Sequence, residues 1–216
     1  MPAKECTAIR DGLLGSDTVG FLSQNVIRTS TDSQDEYPTS ATRFFDFTYE
    51  GKTAEGGAVY DHVSPENQNV INGLLEVFYL PWRINAGYYI ILGPKDGPDI
   101  MMTATMSGCS VGYIRGSGGA IRVSHHNIRG RDSQQAQERT LSFVENALHP
   151  DVYHHDISEN RGEVNFASRG FGFVFGVRRQ TEWTMYWQKI AVWREQNNWT
   201  ANVVASAINV KGAGIL

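Results

Sequence analysis

The sequence predicts an α+β fold, a mixed or antiparallel β-sheet with helices packed on it. Three observations lead there. The stretches from Phe44 to Val63 and from Glu163 to Val210 are rich in β-branched and aromatic residues, which suit a pleated, half-buried surface. Two segments, beginning at Ser64 and Ser133, read as helices. Charged residues make up 19% of the 216 positions and aromatics 11%, with 22 glycines, a globular composition. At this length a single domain over residues 1–216 is expected. Such a domain buries roughly 70% of its unfolded surface and needs no staple.

Residues 28–43 hold no large aliphatic side chain after Ile27. They read as a mobile loop between an N-terminal helical piece and the body. Phe45, Phe47 and Tyr49 then alternate with Asp46, Thr48 and Glu50, the period of a strand. Ser64-Pro65-Glu66 opens a helix, with serine as N-cap and proline at the first helical position. Val70, Ile71, Leu74, Leu75 and Phe78 continue it until Pro81. Ala86–Leu92 and Ile100–Met106 read as strands joined by the turn sequence Gly93-Pro94-Lys95-Asp96-Gly97-Pro98. Cys109–His126 reads as a hairpin around Gly116-Ser117-Gly118-Gly119, and Ser133–Leu148 as a second helix. Asn197-Asn198 marks a turn in the strand-rich C-terminal third.

The net charge of −4, from 19 basic and 23 acidic side chains, gives no electrostatic reason to bind DNA or an anionic membrane. Lys4, Glu5, Arg10, Asp11 and Asp17 break any apolar signal core. The run at Tyr88–Leu92 is strand-sized, far short of a membrane span. Two cysteines, Cys6 and Cys109, could form one bridge but make no disulfide framework, so the compartment reads as reducing or indifferent. His149, His154, His155 and Asp156 match no zinc spacing, so neither a metal nor a cofactor is expected. The expected state is a monomer.

The residues that carry chemistry lie in Met106-Ser107-Gly108-Cys109, the glycine turn and His125-His126. A nucleophilic cysteine needs an imidazole in hydrogen-bond reach, and a hairpin supplies it because opposed residues have Cβ atoms about 5 Å apart. Pairing Cys109 with His125 centres the turn on Ser117; pairing with His126 centres it between Ser117 and Gly118. Strand alternation puts Cys109, Val111 and Tyr113 on the face of Ile121, Val123 and His125, and puts Arg122, Ser124 and His126 on the other. His125 is therefore favoured over His126. Ser107 and Gly108 let the backbone approach a substrate, and their amides could face an oxyanion.

These residues resemble the Burkholderia lethal factor and the cytotoxic necrotizing factor catalytic domains, which are cysteine–histidine glutamine deamidases. The family signature is Leu-Ser-Gly-Cys, from which Met106 departs. The glycine turn at Gly116–Gly119, Thr103 six residues before the cysteine and Leu80-Pro81-Trp82-Arg83 also match the lethal factor. The hairpin is longer here by two residues on each side of the turn, and the motif-bearing likeness runs roughly from Leu80 to His126. The resemblance implies a sandwich-type deamidase fold, Cys109 as nucleophile, His125 as acid and base, and Thr103 near the imidazole or the substrate amide. It also implies a bacterial toxin made in the bacterial cytoplasm and delivered to the host cytoplasm. Its substrate would be a host protein, either the DEAD-box helicase of translation initiation or a small GTPase.

Two other readings stay open. Arg169-Gly170-Phe171-Gly172-Phe173-Val174-Phe175-Gly176 nearly spells an RNA-binding octamer whose aromatics stack on bases. Yet residues 139–216 hold eight basic and seven acidic side chains, too near neutral for RNA. Trp183, Trp187, Trp193 and Trp199 would suit a packed sheet or a carbohydrate platform. A cysteine protease or transglutaminase-like enzyme would use the same Cys109–His125 pair.

Overall fold

The computed structural model describes residues 4–29, 41–53, 56–63, 73–82, 86–106, 110–127, 146–148, 157–161, 164–197 and 203–215. Two helices open the chain, α1 (Lys4–Leu14) and α2 (Thr18–Gln24). In α1, Cys6, Ile9 and Leu13 fall on one stripe and are buried. Asp17 caps α2, its carboxylate accepting from the Gly20 amide at 2.8 Å.

Thirteen strands follow among the described residues: β1 (Val26–Arg28), β2 (Ala41–Lys52), β3 (Ala58–Val63), β4 (Leu75–Leu80), β5 (Ala86–Leu92), β6 (Ile100–Thr103), β7 (Ser110–Arg115), β8 (Ile121–Asn127), β9 (Asn146–Leu148), β10 (Ile157–Arg161), β11 (Val164–Arg179), β12 (Glu182–Asn197) and β13 (Val203–Ile215). One large sheet has the order β1-β3-β2-β4-β6-β11-β12-β13, with β10 also paired to β11. It is mixed, since β1–β3 and β4–β6 are parallel. A second, antiparallel sheet has the order β5-β8-β7-β9.

Two cores divide the molecule into three layers. Cys6, Ile9, Leu13 and Leu22 of the helices pack on Phe45, Val77, Met102, Phe173 and Phe175 of the large sheet. On the opposite face of that sheet, Leu80, Met101, Val174, Trp183 and Met185 meet Leu92, Val111, Tyr113, Ile121 and Val123 of the small sheet. The class is α+β, two face-packed sheets with helices on the outer side of one.

Several sequence expectations change. The helix expected from Ser64 to Phe78 is a strand where it is described. Leu75, Val77 and Tyr79 are buried with Glu76 exposed between them, a period of two. Gly73 takes φ +104°, which ends any helix there. Residues 64–72 of that reading lie outside the described residues. The second helix expected over Ser133–Leu148 is contradicted at its end, where Asn146–Leu148 pairs with β7; residues 133–145 lie outside the described residues. The loop over 28–43 shrinks at both ends. Arg28 closes β1 against β3, and Ala41–Arg43 pairs with β4, leaving residues 30–40 outside the described residues.

Ala86–Leu92 is a strand with the expected bounds, but β5 and β6 do not pair. The Gly93–Pro98 turn carries the chain from the small sheet to the large one. A hairpin turn at Gln180-Thr181 was not anticipated; Gln180 adopts φ +59° without being glycine. Phe173 and Phe175 lie beneath the helices at 1% and 0% exposure, so they offer no stacking platform for bases.

Candidate active site

The β7–β8 hairpin is present, with a register two residues away from the expected one. Val111, not Cys109, lies opposite His125, and Ser110 lies opposite His126. The turn decides this. Gly118 and Gly119 both have positive φ, and the Gly116 amide donates to the Ala120 carbonyl at 2.7 Å. The reversal is therefore centred on Gly118, one residue later than Ser117. A two-residue shift preserves the alternation of faces.

His125 points into the space between the sheets, flanked across the ladders by Tyr88 on β5 and Val111 on β7. It is 1% exposed, and neither ring nitrogen has a hydrogen-bond partner among the described residues. Burial pushes its pKa down to about 4, against smaller opposing effects of the Leu80 and Pro81 backbone; the neighbouring His126 lowers it further. That backbone lies close enough to favour a protonated ring without meeting hydrogen-bond geometry. The imidazole is thus neutral near pH 7, the form that accepts a proton.

His126 occupies the opposite face. It is half-buried over Gly87, where an added Cβ would come within 2.6 Å of its Nδ1. Partial burial, then Arg122, lowers its pKa.

Thr103 ends β6 and pairs with Leu80 at the end of β4. The Leu80 carbonyl accepts from the Ala104 amide at 2.9 Å, so Thr103 and His125 approach the same Leu80–Pro81 segment. The Thr103 hydroxyl accepts from the Val174 amide at 3.1 Å and makes no hydrogen bond to His125. Thr29 locks the far side: its hydroxyl donates to the Thr103 carbonyl at 2.8 Å, and its carbonyl accepts from the Thr105 hydroxyl at 2.7 Å.

Ser107, Gly108 and Cys109 lie outside the described residues, but both flanks are anchored. Met106 exchanges two backbone hydrogen bonds with Gly172 of β11, at 2.8 and 2.9 Å. Ser110 begins β7 in the small sheet. His149, His154, His155 and Asp156 also lie outside the described residues, and among those described no group of three metal-ligating side chains occurs.

Cys6 is a free thiol buried in the helix-side core, directed at the Phe45 carbonyl (3.6 Å) and the Asp46 carboxylate (3.7 Å). Burial, then Asp46, pushes it up to about 11, which leaves it unreactive at neutral pH. Sequence reasoning missed Tyr88 as a neighbour of His125. The Leu80-Pro81 segment entered only as a matched motif, and no local signal tied either to the histidine.

No protein-family model matches the chain, and no curated protein matches it. Among solved structures, the C-terminal domain of CNFy from Yersinia pseudotuberculosis is similar, with a TM-score of 0.33 and 12% identity over 84% of this chain and 78% of that one. Among the described residues, no helix is long and apolar enough to cross a membrane.

Proposed function

We propose that the protein is a toxin or effector that deamidates a glutamine side chain of a host protein, with Cys109 as nucleophile and His125 as acid and base. The observation that carries this reading is the buried imidazole whose two nitrogens lack partners among the described residues. Leaving buried polar atoms unpaired costs about 1–3 kcal/mol each, and natural folds rarely do so without a role for the group. Cys109 is bonded to Ser110, the residue opposite His126, so its Cα is about 3.8 Å from that of Ser110. Connectivity alone keeps Cys109 within two residues of Val111, the residue paired with His125. The Met-Ser-Gly-Cys motif and its resemblance to the deamidase family supply the choice of reaction.

In this mechanism neutral His125 takes the Cys109 proton, and the thiolate attacks the carboxamide carbon. His125 returns the proton to the departing ammonia, leaving a thioester. It then removes a proton from water, which attacks the same carbon, releases glutamate and restores the thiol. Thr103, fixed by Val174, acts as a positioning residue for the Leu80 segment. Ser107 and Gly108, next to the nucleophile in the motif, are assigned as the source of backbone amides for the tetrahedral oxyanion.

The test is to incubate eukaryotic lysate with wild-type protein and with Cys109→Ser and to search for glutamine-to-glutamate conversions by mass spectrometry. Conversions appear with wild type and not with Cys109→Ser, vanish in His125→Ala and persist in His126→Ala. Equal loss in both folded histidine variants would remove His125 from its role. Cleaved or crosslinked products would instead indicate a protease or transglutaminase at the same pair. A Cys109 that iodoacetamide fails to alkylate below pH 8.5 would point to a non-catalytic binding module.

A further inference from the structure

The face of the small sheet that points away from the large one is apolar at its centre. Tyr89, Ile91 and Ile114 are 55%, 62% and 37% exposed. Ile91 and Ile114 lie on either side of Arg122 in one row across β5, β8 and β7. The Arg122 guanidinium sits 4.4 Å from the centre of the Tyr89 ring, already oriented over it. Among the described residues of these strands, this face carries no carboxylate. Three large apolar side chains around one cation differ from scattered surface residues, and tyrosine and arginine are the side chains that most often anchor interfaces.

We propose that this face docks the protein carrying the target glutamine, through a strip of that protein in which a carboxylate is flanked by apolar side chains. The inference rests on the deamidase reading. A cysteine–histidine pair distinguishes a carboxamide from other groups but not one protein's glutamine from another's, so selection must come from a surface outside the chemistry. Charge decides the occupant: a cation with no acid beside it among the described residues of these strands favours an acidic partner and disfavours a basic one. Geometry decides the site. The same hairpin presents Arg122 and Ile114 outward and His125 inward, and Ile114 stands four residues from Ser110, about 13 Å along an extended strand. A single globular partner spans that distance with an ordinary interface.

The experiment compares wild type, Arg122→Glu, Ile91→Asp and Arg122→Lys. Three rates are measured: protein glutamine conversion in lysate, hydrolysis of a short glutamine peptide, and iodoacetamide alkylation of Cys109. The first two variants are expected to slow protein conversion by about tenfold or more, with peptide hydrolysis and alkylation at wild-type rates. Arg122→Lys keeps most of the protein conversion. Unchanged protein conversion in both Arg122→Glu and Ile91→Asp overturns the proposal. So does a parallel fall in peptide hydrolysis, which would place their effect on the site or the fold. A wild-type dimer in sedimentation that Ile91→Asp dissociates would make the face a self-association surface and overturn it too. Wild type that neither hydrolyses peptide nor alkylates defeats the deamidase reading itself, an outcome distinct from these.

Discussion

In the folded protein burial takes His125 from its ordinary 6.5 down to about 4. Between these values the unfolded chain binds a proton that the folded chain does not, so stability rises with pH across the window and falls as pH drops through it. Over the 2.5-unit interval the loss amounts to about 3 kcal/mol at most. His126 is also shifted down and adds in the same direction; Asp61, shifted up mainly by burial, opposes it. The effect of His125 is therefore read as a difference. Denaturant titrations at pH 7 and pH 4.5 should show wild type losing about 2–3 kcal/mol more than His125→Gln. Equal losses would mean the ring is hydrated or paired in solution. The same shift keeps the imidazole neutral at pH 7 until a proton from a thiol reaches it.

At the scale of elements, the crossing from β5 to β6 hangs on one side chain from β11. Arg178 is 6% exposed, and its guanidinium donates to the carbonyls of Gly93 (3.2 Å), Asp96 (2.9 Å) and Gly97 (2.6 Å) and to the Asp99 carboxylate (2.8 Å). Trp183 donates its indole N–H to the same Gly93 carbonyl at 2.8 Å. Arg178→Met would remove the hydrogen bonds that tie residues 93–99 to β11 and should destabilise by about 1–3 kcal/mol, since the exposed Asp96, Gly97 and Asp99 acceptors turn to water and Gly93 keeps Trp183. Arg178→Lys should recover little, because an ammonium cannot reproduce the planar fork. Thermal melts and hydrogen exchange over residues 93–99 check both variants. A Lys variant as stable as wild type would mean that charge, not the fork, holds the turn.

At the scale of the whole molecule, the helical layer is tied to the large sheet by buried polar side chains as well as apolar packing. Gln188 of β12 is fully buried. Its amide nitrogen donates to the carbonyls of Leu22 and Asn25, both at 2.6 Å, and its oxygen accepts from the Ile27 amide at 3.4 Å. Arg179 does the same at the end of α1, donating to the carbonyls of Leu13 (3.2 Å) and Gly15 (2.5 Å) and to the Thr18 hydroxyl (2.7 Å). Gln188→Leu keeps the volume and loses the pairing, and should destabilise by about 2–4 kcal/mol in denaturant titration. An unchanged midpoint would show that apolar packing alone seats the helices.

The sequence by itself determined what depends on near neighbours: the α+β class, the bounds of Ala86–Leu92, the existence of a hairpin around Gly116–Gly119, and the opposite faces of His125 and His126. Each follows from alternation or from glycines a few residues away. Tertiary structure decided what depends on distant partners. Leu75–Leu80 satisfies both a helical and a strand period, and β2 and β6 pairing on its two sides selects the strand. The glycine turn signalled a reversal, but only its closed backbone placed the centre at Gly118 and Val111 opposite His125. The turn after β5 named no destination; Arg178, about 80 residues away in sequence, sends β6 into the other sheet. Local energies of the chain are nearly balanced between such alternatives, and long-range hydrogen bonds and burial, invisible to a short window, tip them.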